Sequence, residues 1–263
     1  LNFELRGGAA ALWITGLILV AGSTAINARA PSEAPSGAPV AMANSRAAGT
    51  LHPFSATYAV LWNGITAGTA SLDLTREGAD RFVYRSRIEA GGIFHLVFPD
   101  DILQASTFML EDGGLRTLEY HASDGDKERR RDINLTFDWH VARITGLVER
   151  RAVDIPLRPG TLDPMSVQIA MIRALESGGA PTHFLMVDKN EIKDYVYAPE
   201  GAARIHTTLG ELDTVIWSSS RPDSDRVTRM WYAPSLGFIP VRAEQSRAGK
   251  VQVRMTIRSI KRT

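Results

Sequence analysis

From Phe54 onward the apolar residues recur at every second position, and that rhythm admits little besides an antiparallel sheet. Phe54, Ala56, Tyr58, Val60 and Trp62 share one face of an extended segment, with Ser55 and Thr57 on the other. Asn63-Gly64 follows at once, the strongest short signal for a two-residue hairpin turn. The return strand runs from Thr66 to Thr75, and Gly68 within it is small enough for a bulge or a close approach. Further strands are expected at 82–88, 102–110, 115–122, 131–138, 141–146 and 150–157, separated by turn-forming stretches such as Glu111-Asp112-Gly113-Gly114. They resume at 182–187, 192–198, 203–209, 212–219, 226–233 and 238–246. In the last segment Val251, Val253, Met255 and Ile257 alternate with Gln252, Arg254, Thr256 and Arg258, one buried face and one wet.

One stretch breaks the pattern. Met165, Ile169 and Ile172 are spaced by four and three, with Val167, Met171, Ala174 and Leu175 widening the apolar side. Asp163 as N-cap and Pro164 at the first helical position start a helix over 163–176, and Gly178-Gly179 ends it. The fold class is therefore mainly β. About thirteen strands with one inserted helix form a large antiparallel curved sheet, or an open or closed β-barrel, over a single domain at 52–263.

What precedes the sheet concerns location. Arg6 is followed by an uncharged run, Gly7 to Ala28, centred on Leu12, Trp13, Ile14, Leu17, Ile18, Leu19 and Val20. Residues 1–30 read as a secretory signal peptide or an uncleaved N-terminal anchor, because roughly 20 apolar residues suffice to span a bilayer. Cleavage after Ala25 or Ala28, and inner-membrane anchoring through residues 7–28, both stay open. Residues 31–51, rich in Pro, Ala and Ser, form a flexible linker. Either reading puts the body in the periplasm.

Composition then excludes several chemistries. Without residues 1–30, which carry Arg6, Arg29 and Glu4, positive and negative residues balance at 28 each. That balance argues against nucleic acid as a partner. Cysteine is absent, which removes disulfides, lipoprotein acylation, attached haem and thiolate metal sites. The histidines at 52, 95, 121, 140, 183 and 206 form no close ligand pair. No nucleophile-elbow or Ser-x-x-Lys motif occurs. Asp124-Gly125-Asp126 resembles a calcium loop, but Arg129 and Leu135 occupy positions that such a loop reserves for Gly and Glu. Arg129-Arg130-Arg131 and Arg150-Arg151 are flanked by Glu128, Asp132 and Glu149, as on a solvated, charge-balanced edge. No cofactor, metal or catalytic residue is expected.

Several motifs together resemble the bacterial domain-of-unknown-function family 3108. They are Phe54-x-Ala56-x-Tyr58 with Trp62-Asn63-Gly64-x-x-Ala67-Gly68, then Phe137-Asp138-Trp139 and Gly160-Thr161-Leu162-Asp163-Pro164-Met165-Ser166. Met230-Trp231-Tyr232-Ala233-Pro234 and Phe238-Ile239-Pro240-Val241-Arg242 complete the set. The resemblance covers roughly 52–260 and implies an exported envelope protein of proteobacterial type, with no accepted activity. More distantly, many curved strands around one helix resemble periplasmic lipoprotein-carrier open barrels, a likeness of fold only.

The expected function is a non-enzymatic binding module for an apolar or amphipathic envelope molecule such as a lipid. Trp62, Phe94, Met165, Ile169 and Ile172 are the expected cavity lining, and Gly91 to Phe98 is either a flap over that cavity or an ordinary connection. The alternatives are an envelope assembly or interaction factor with a filled core, and a cell-wall or lipid hydrolase.

Overall fold

The computed structural model describes residues 51–262 apart from 97, 112, 113, 222 and 223. The signal or anchor segment and linker residues 31–50 lie outside the described residues. The first half of the sheet is β1 (Phe54–Trp62), β2 (Ile65–Arg76), β3 (Arg81–Ala90), β4 (Ile102–Glu111), β5 (Gly114–Ser123), β6 (Ile133–Asp138), β7 (Arg143–Val148) and β8 (Arg151–Pro156). The second half is β9 (His183–Asp188), β10 (Glu191–Thr207), β11 (Gly210–Ser220), β12 (Arg226–Ala233), β13 (Ile239–Arg247) and β14 (Lys250–Arg262). A 3-10 turn, Gly92–Leu96, joins β3 to β4, and helix α1 (Ser166–Glu176) lies between β8 and β9.

These are fourteen strands in one sheet, in keeping with the expected antiparallel sheet of about thirteen. All of them are antiparallel to their neighbours, in the order β8 to β1, then β14 down to β9. The first and last strands in sequence pair with each other, Phe54 opposite Arg262 and Trp62 opposite Val253. The two outer strands, β8 and β9, are consecutive in the chain and do not pair. The sheet is therefore an open, barrel-like wrap rather than a closed barrel. The expected strands 192–198 and 203–209 are one strand, β10, with a register shift between Pro199 and Gly201 against β11. Proline and glycine there make a bulge, since the pairing partner continues on both sides of them.

Curvature follows from the alternation. Phe54, Ala56, Tyr58 and Val60 are buried, as are Phe82, Tyr84 and Ile88, and Val253, Met255 and Ile257. Their shared face is concave, and rings meet across it: Phe82 stacks on Phe108 at 5.8 Å, and Phe54 lies 6.0 Å from Tyr84. The Tyr58 hydroxyl donates to the Pro240 carbonyl at 2.8 Å, reaching past β14 to the start of β13.

The seam between the outer strands is closed by other means. Leu162 forms an isolated parallel bridge with Met186 of β9. Lys189 Nζ lies 2.6 Å from Glu149, and Arg158 donates to the Ile192 carbonyl at 3.3 Å. The free edge of β8 is six residues long, carries Arg151 and Asp154, and ends at Pro156, features that discourage edge-to-edge pairing.

Gly68 marks a fixed point of the wrap. The register of β1 against β2 shifts between Val60 and Leu61, opposite Gly68 and Thr66. A Cβ at Gly68 would sit 2.0 Å from the Glu89 carbonyl oxygen of β3. Gly68→Ala is expected to lower the free energy of unfolding by about 1–3 kcal/mol, the usual penalty for overpacking, read as a lower midpoint in urea.

Candidate functional site

The interior is organised by α1. The helix is buried nearly all round: Val167, Ile169, Met171, Ile172 and Leu175 supply apolar surface, and Ser166 and Gln168 are buried with them. A helix buried on nearly every side belongs inside a core, and this one lies on the inner face of the sheet, against β4 and β5. Burying each large aliphatic side chain contributes about 1.5–3 kcal/mol. Its end is set by Gly178 and Gly179, whose amides donate to the Leu175 and Ala174 carbonyls.

The helix start is held by a polar hub. Asp163 is fully buried. Its Oδ1 accepts the Met165 and Ser166 amides at 2.7 and 3.1 Å, and its own amide donates to Ser166 Oγ at 2.9 Å. This reciprocal arrangement is a capping box, with Asp163 three residues ahead of Ser166, the first regular helical residue. Asp163 Oδ2 accepts Ser106 Oγ of β4 at 2.6 Å and Thr117 Oγ1 of β5 at 3.1 Å, and Thr117 also meets Ser166 Oγ at 2.8 Å. One carboxylate thus caps the helix and ties it to two strands. The cap is legible in the sequence and the tie is not. Its signal was Ser106, a polar residue on the buried face of a strand whose neighbours on that face include Ile102 and Phe108. Burial raises the Asp163 carboxyl above its ordinary 3.8, and the bonds from Ser106, Ser166 and Met165 oppose the rise.

Of the five expected lining residues, Met165, Ile169 and Ile172 sit in the packed core with essentially no exposure. Trp62 and Phe94 form a separate pair, their rings 5.3 Å apart, half-buried against the edge of that core. Around the helix, a cavity of about 20 Å³ lies between Val167, Gln168 and Met171 on one side and Trp217, Thr228 and Tyr232 on the other. That volume suits a single water molecule, not an acyl chain. The surrounding phenols, Tyr197 and Tyr232, are pushed upward by burial and stay protonated. The segment after β3 is the short 3-10 turn, its Gly91 amide bonded to the Ala67 carbonyl at 2.8 Å.

A larger cleft, about 510 Å³, lies outside the core. Arg85, Arg87, Leu103 and His121 line its floor, and Arg129 and Asp132 form part of its wall. Its cations are engaged: Arg87 with Asp101 at 2.6 Å, and Arg85 with Glu77 at 3.5 Å. The arginine run 129–131 is matched by Asp132, Asp126 and Asp124. A buried ion pair, Arg221 with Asp188 at 2.6 Å, fastens the residue that follows β11 to the outer strand β9. His121 meets Asn134, His183 meets Asp194 and His206 meets Glu211, so these three histidines take local partners. No group of three metal-binding side chains occurs among the described residues, and no described helix is long and apolar enough to cross a membrane.

Comparison with known proteins agrees with this architecture. The family described as "Protein of unknown function (DUF3108)" matches residues 57–257. No curated protein matches the chain. Among solved structures, a beta-barrel-like protein of the domain-of-unknown-function family DUF1849 from Brucella abortus superposes with a TM-score of 0.52 at 12% identity, covering 81% of this chain and 98% of that one. A candidate exported protein with YmcC-like fold from Bacteroides fragilis gives 0.36 at 12% identity, covering 83% and 100%. A candidate lipoprotein from Parabacteroides distasonis gives 0.34 at 8% identity, covering 80% and 96%. Of these three, the Brucella protein alone is near enough in shape to speak for the fold, and it speaks for the fold alone.

The hub has a consequence for pH. A carboxyl whose folded-state pKa is raised above 3.8 stabilises the fold fully below that value and loses the contribution as pH rises through its folded-state pKa. Asn at 163 offers an oxygen to the two amides and an NH₂ to the two hydroxyls with no charge to desolvate. Asp163→Asn is therefore expected to gain on the native chain as pH rises from 3.8 towards neutrality. Asp163→Ala is expected to lose about 1–3 kcal/mol. Urea unfolding across pH measures both, and a pH-independent difference between native and Asn chains would refute the assignment.

Proposed function

The chain belongs to the DUF3108 family, and from that premise we propose that it is an exported cell-envelope protein that acts by binding, through its surface, as an assembly or interaction factor with a filled core. The single observation that supports this most is the helix. α1 occupies the space in which an apolar ligand would lie, and it is fixed there by Asp163, Ser106 and Thr117. Export is supported by the apolar run Gly7 to Ala28 behind Arg6. The family carries no assigned activity, and the side chains around the helix form hydrogen bonds and packing contacts rather than a nucleophile–base pair.

A second reading keeps the expected interior site for an amphipathic envelope molecule, with Met165, Ile169 and Ile172 uncovered when α1 withdraws. The observation in its favour is the seam, since β8 and β9 share no backbone ladder. In this reading α1 must move, and in the first it need not.

That difference is measurable. Thr117 and Ser166 place their hydroxyl oxygens 2.8 Å apart, near the reach of a disulfide, and the chain has no cysteine of its own. A Thr117→Cys/Ser166→Cys chain, oxidised, locks α1 to β5. The locked protein is expected to restore envelope integrity in cells lacking the native gene as well as its reduced form does. Restoration by the reduced form alone would overturn the surface reading in favour of the interior one.

A further inference from the structure

We propose that one end of the sheet docks onto a lipid bilayer, with Ile93 and Leu96 of the 3-10 turn as inserted side chains and Ile65 and Val251 flanking them. This deepens the surface reading above, resting on it for the envelope setting, and names the partner.

The geometry starts from strand direction. β1 runs from Phe54 towards Trp62, so the β1–β2 turn, the segment between β3 and β4 and the β13–β14 turn share one end. At that end the apolar face extends past the core. Leu96 is 85% exposed, Ile93 69%, Ile65 57% and Val251 38%, half of the large apolar side chains exposed to this degree among the described residues. They belong to one neighbourhood. Ile65 pairs with Trp62, which pairs on its other side with Val253, two residues from Val251. The Asn63 amide donates to the Gln252 carbonyl at 2.7 Å, joining the two hairpin ends. The 3-10 turn is fastened to β2 through Gly91 and Ala67, and Phe94 packs on Trp62, which also lies 6.4 Å from Phe98. The protruding side chains thus stand on a braced aromatic base.

Two features favour a bilayer over another occupant. Ile93 and Leu96 project from the 3-10 turn, and Ile65 and Val251 from the strand ends beside it; a protein partner would need a pocket matched to them, whereas lipid has no shape to match. Trp62 at the foot of the projection suits the interfacial layer, where tryptophan concentrates. The chain outside the described structure also reaches far enough. It enters β1 at the opposite end, and the nine residues of β1 span about 30 Å. Linker residues 31–50, fully extended, would span roughly 70 Å, so a body tethered through Gly7 to Ala28 can turn this end to the same membrane. Charge near the patch is mixed, with Lys250 beside Val251 and Glu89 on β3. Attachment by this end therefore depends on apolar insertion and changes little with salt.

The absence of cysteine permits a direct test on the full chain. Leu96→Cys is labelled with an environment-sensitive fluorophore and mixed with vesicles of phosphatidylethanolamine and phosphatidylglycerol. Val141→Cys, exposed at the other end of the sheet between β6 and β7, is the reference. The label at 96 is expected to shift to the blue and be quenched by spin-labelled lipid, while the label at 141 does neither. Adding Ile93→Asp and Ile65→Asp is expected to weaken the response at 96 about tenfold or more, with the circular dichroism of the folded body unchanged. A silent label at 96, or equal responses at 96 and 141, overturns the proposal. A shift that needs no vesicles and grows with protein concentration also overturns it, in favour of a second copy as the occupant. None of these failures touches the surface reading, which the locked helix tests separately.

Discussion

A sheet of fourteen strands with one continuous apolar face cannot leave that face in water, and the structure depends on how the face is covered. No second sheet is present among the described residues, and the two outer strands do not close the wrap with a backbone ladder. The inner face is covered by curvature, which packs its own side chains together, and by α1, which leaves beside it a cavity of about 20 Å³. A single eleven-residue helix can do this because most of its residues are buried, the polar ones among them bonded within the core.

Placing a helix inside a sheet creates a second problem, since the amides at its start would be buried without partners. Asp163 answers it and introduces a buried carboxylate in doing so. Ser106 and Thr117 then serve the carboxylate, drawing β4 and β5 onto the helix start. Taking one member away leaves the others buried without partners, so the set holds to one arrangement. Here the arrangement selected is the position of α1, on which the choice between a surface-acting and an interior-binding protein turns.

Much of this was legible in the sequence because alternation is imposed by pairing itself. Phe54 to Trp62 and Val251 to Ile257 show it plainly, and the Asp163-Pro164 start and Gly178-Gly179 stop marked the helix to within a few residues. What stayed hidden was non-local. Pro199 and Gly201 carry local turn chemistry, yet β11 pairs on both sides of them and makes them a bulge. Short strands such as 150–157 and 182–187 do not announce whether they bond to each other, so open and closed wraps read alike. Met165, Ile169 and Ile172 look the same in a sequence whether they line a cavity or fill it. Ile65, Ile93 and Leu96 fit an apolar pattern, but only the strand directions gather them at one end. Membership of the DUF3108 family and the shared shape with the Brucella DUF1849 protein support the fold and leave function to the molecule's own geometry.

The central claim is that α1 is a permanent part of the core. Amide hydrogen exchange on the native protein tests it most directly, since exchange separates globally protected amides from those that open locally. The amides of Ile169 to Leu175 are expected to exchange as slowly as those of β1 and β14, which join the two halves of the sheet. Exchange in α1 far faster than in those strands would mean that the helix leaves the interior while the sheet stays folded, and the account of a filled, surface-acting body would be contradicted.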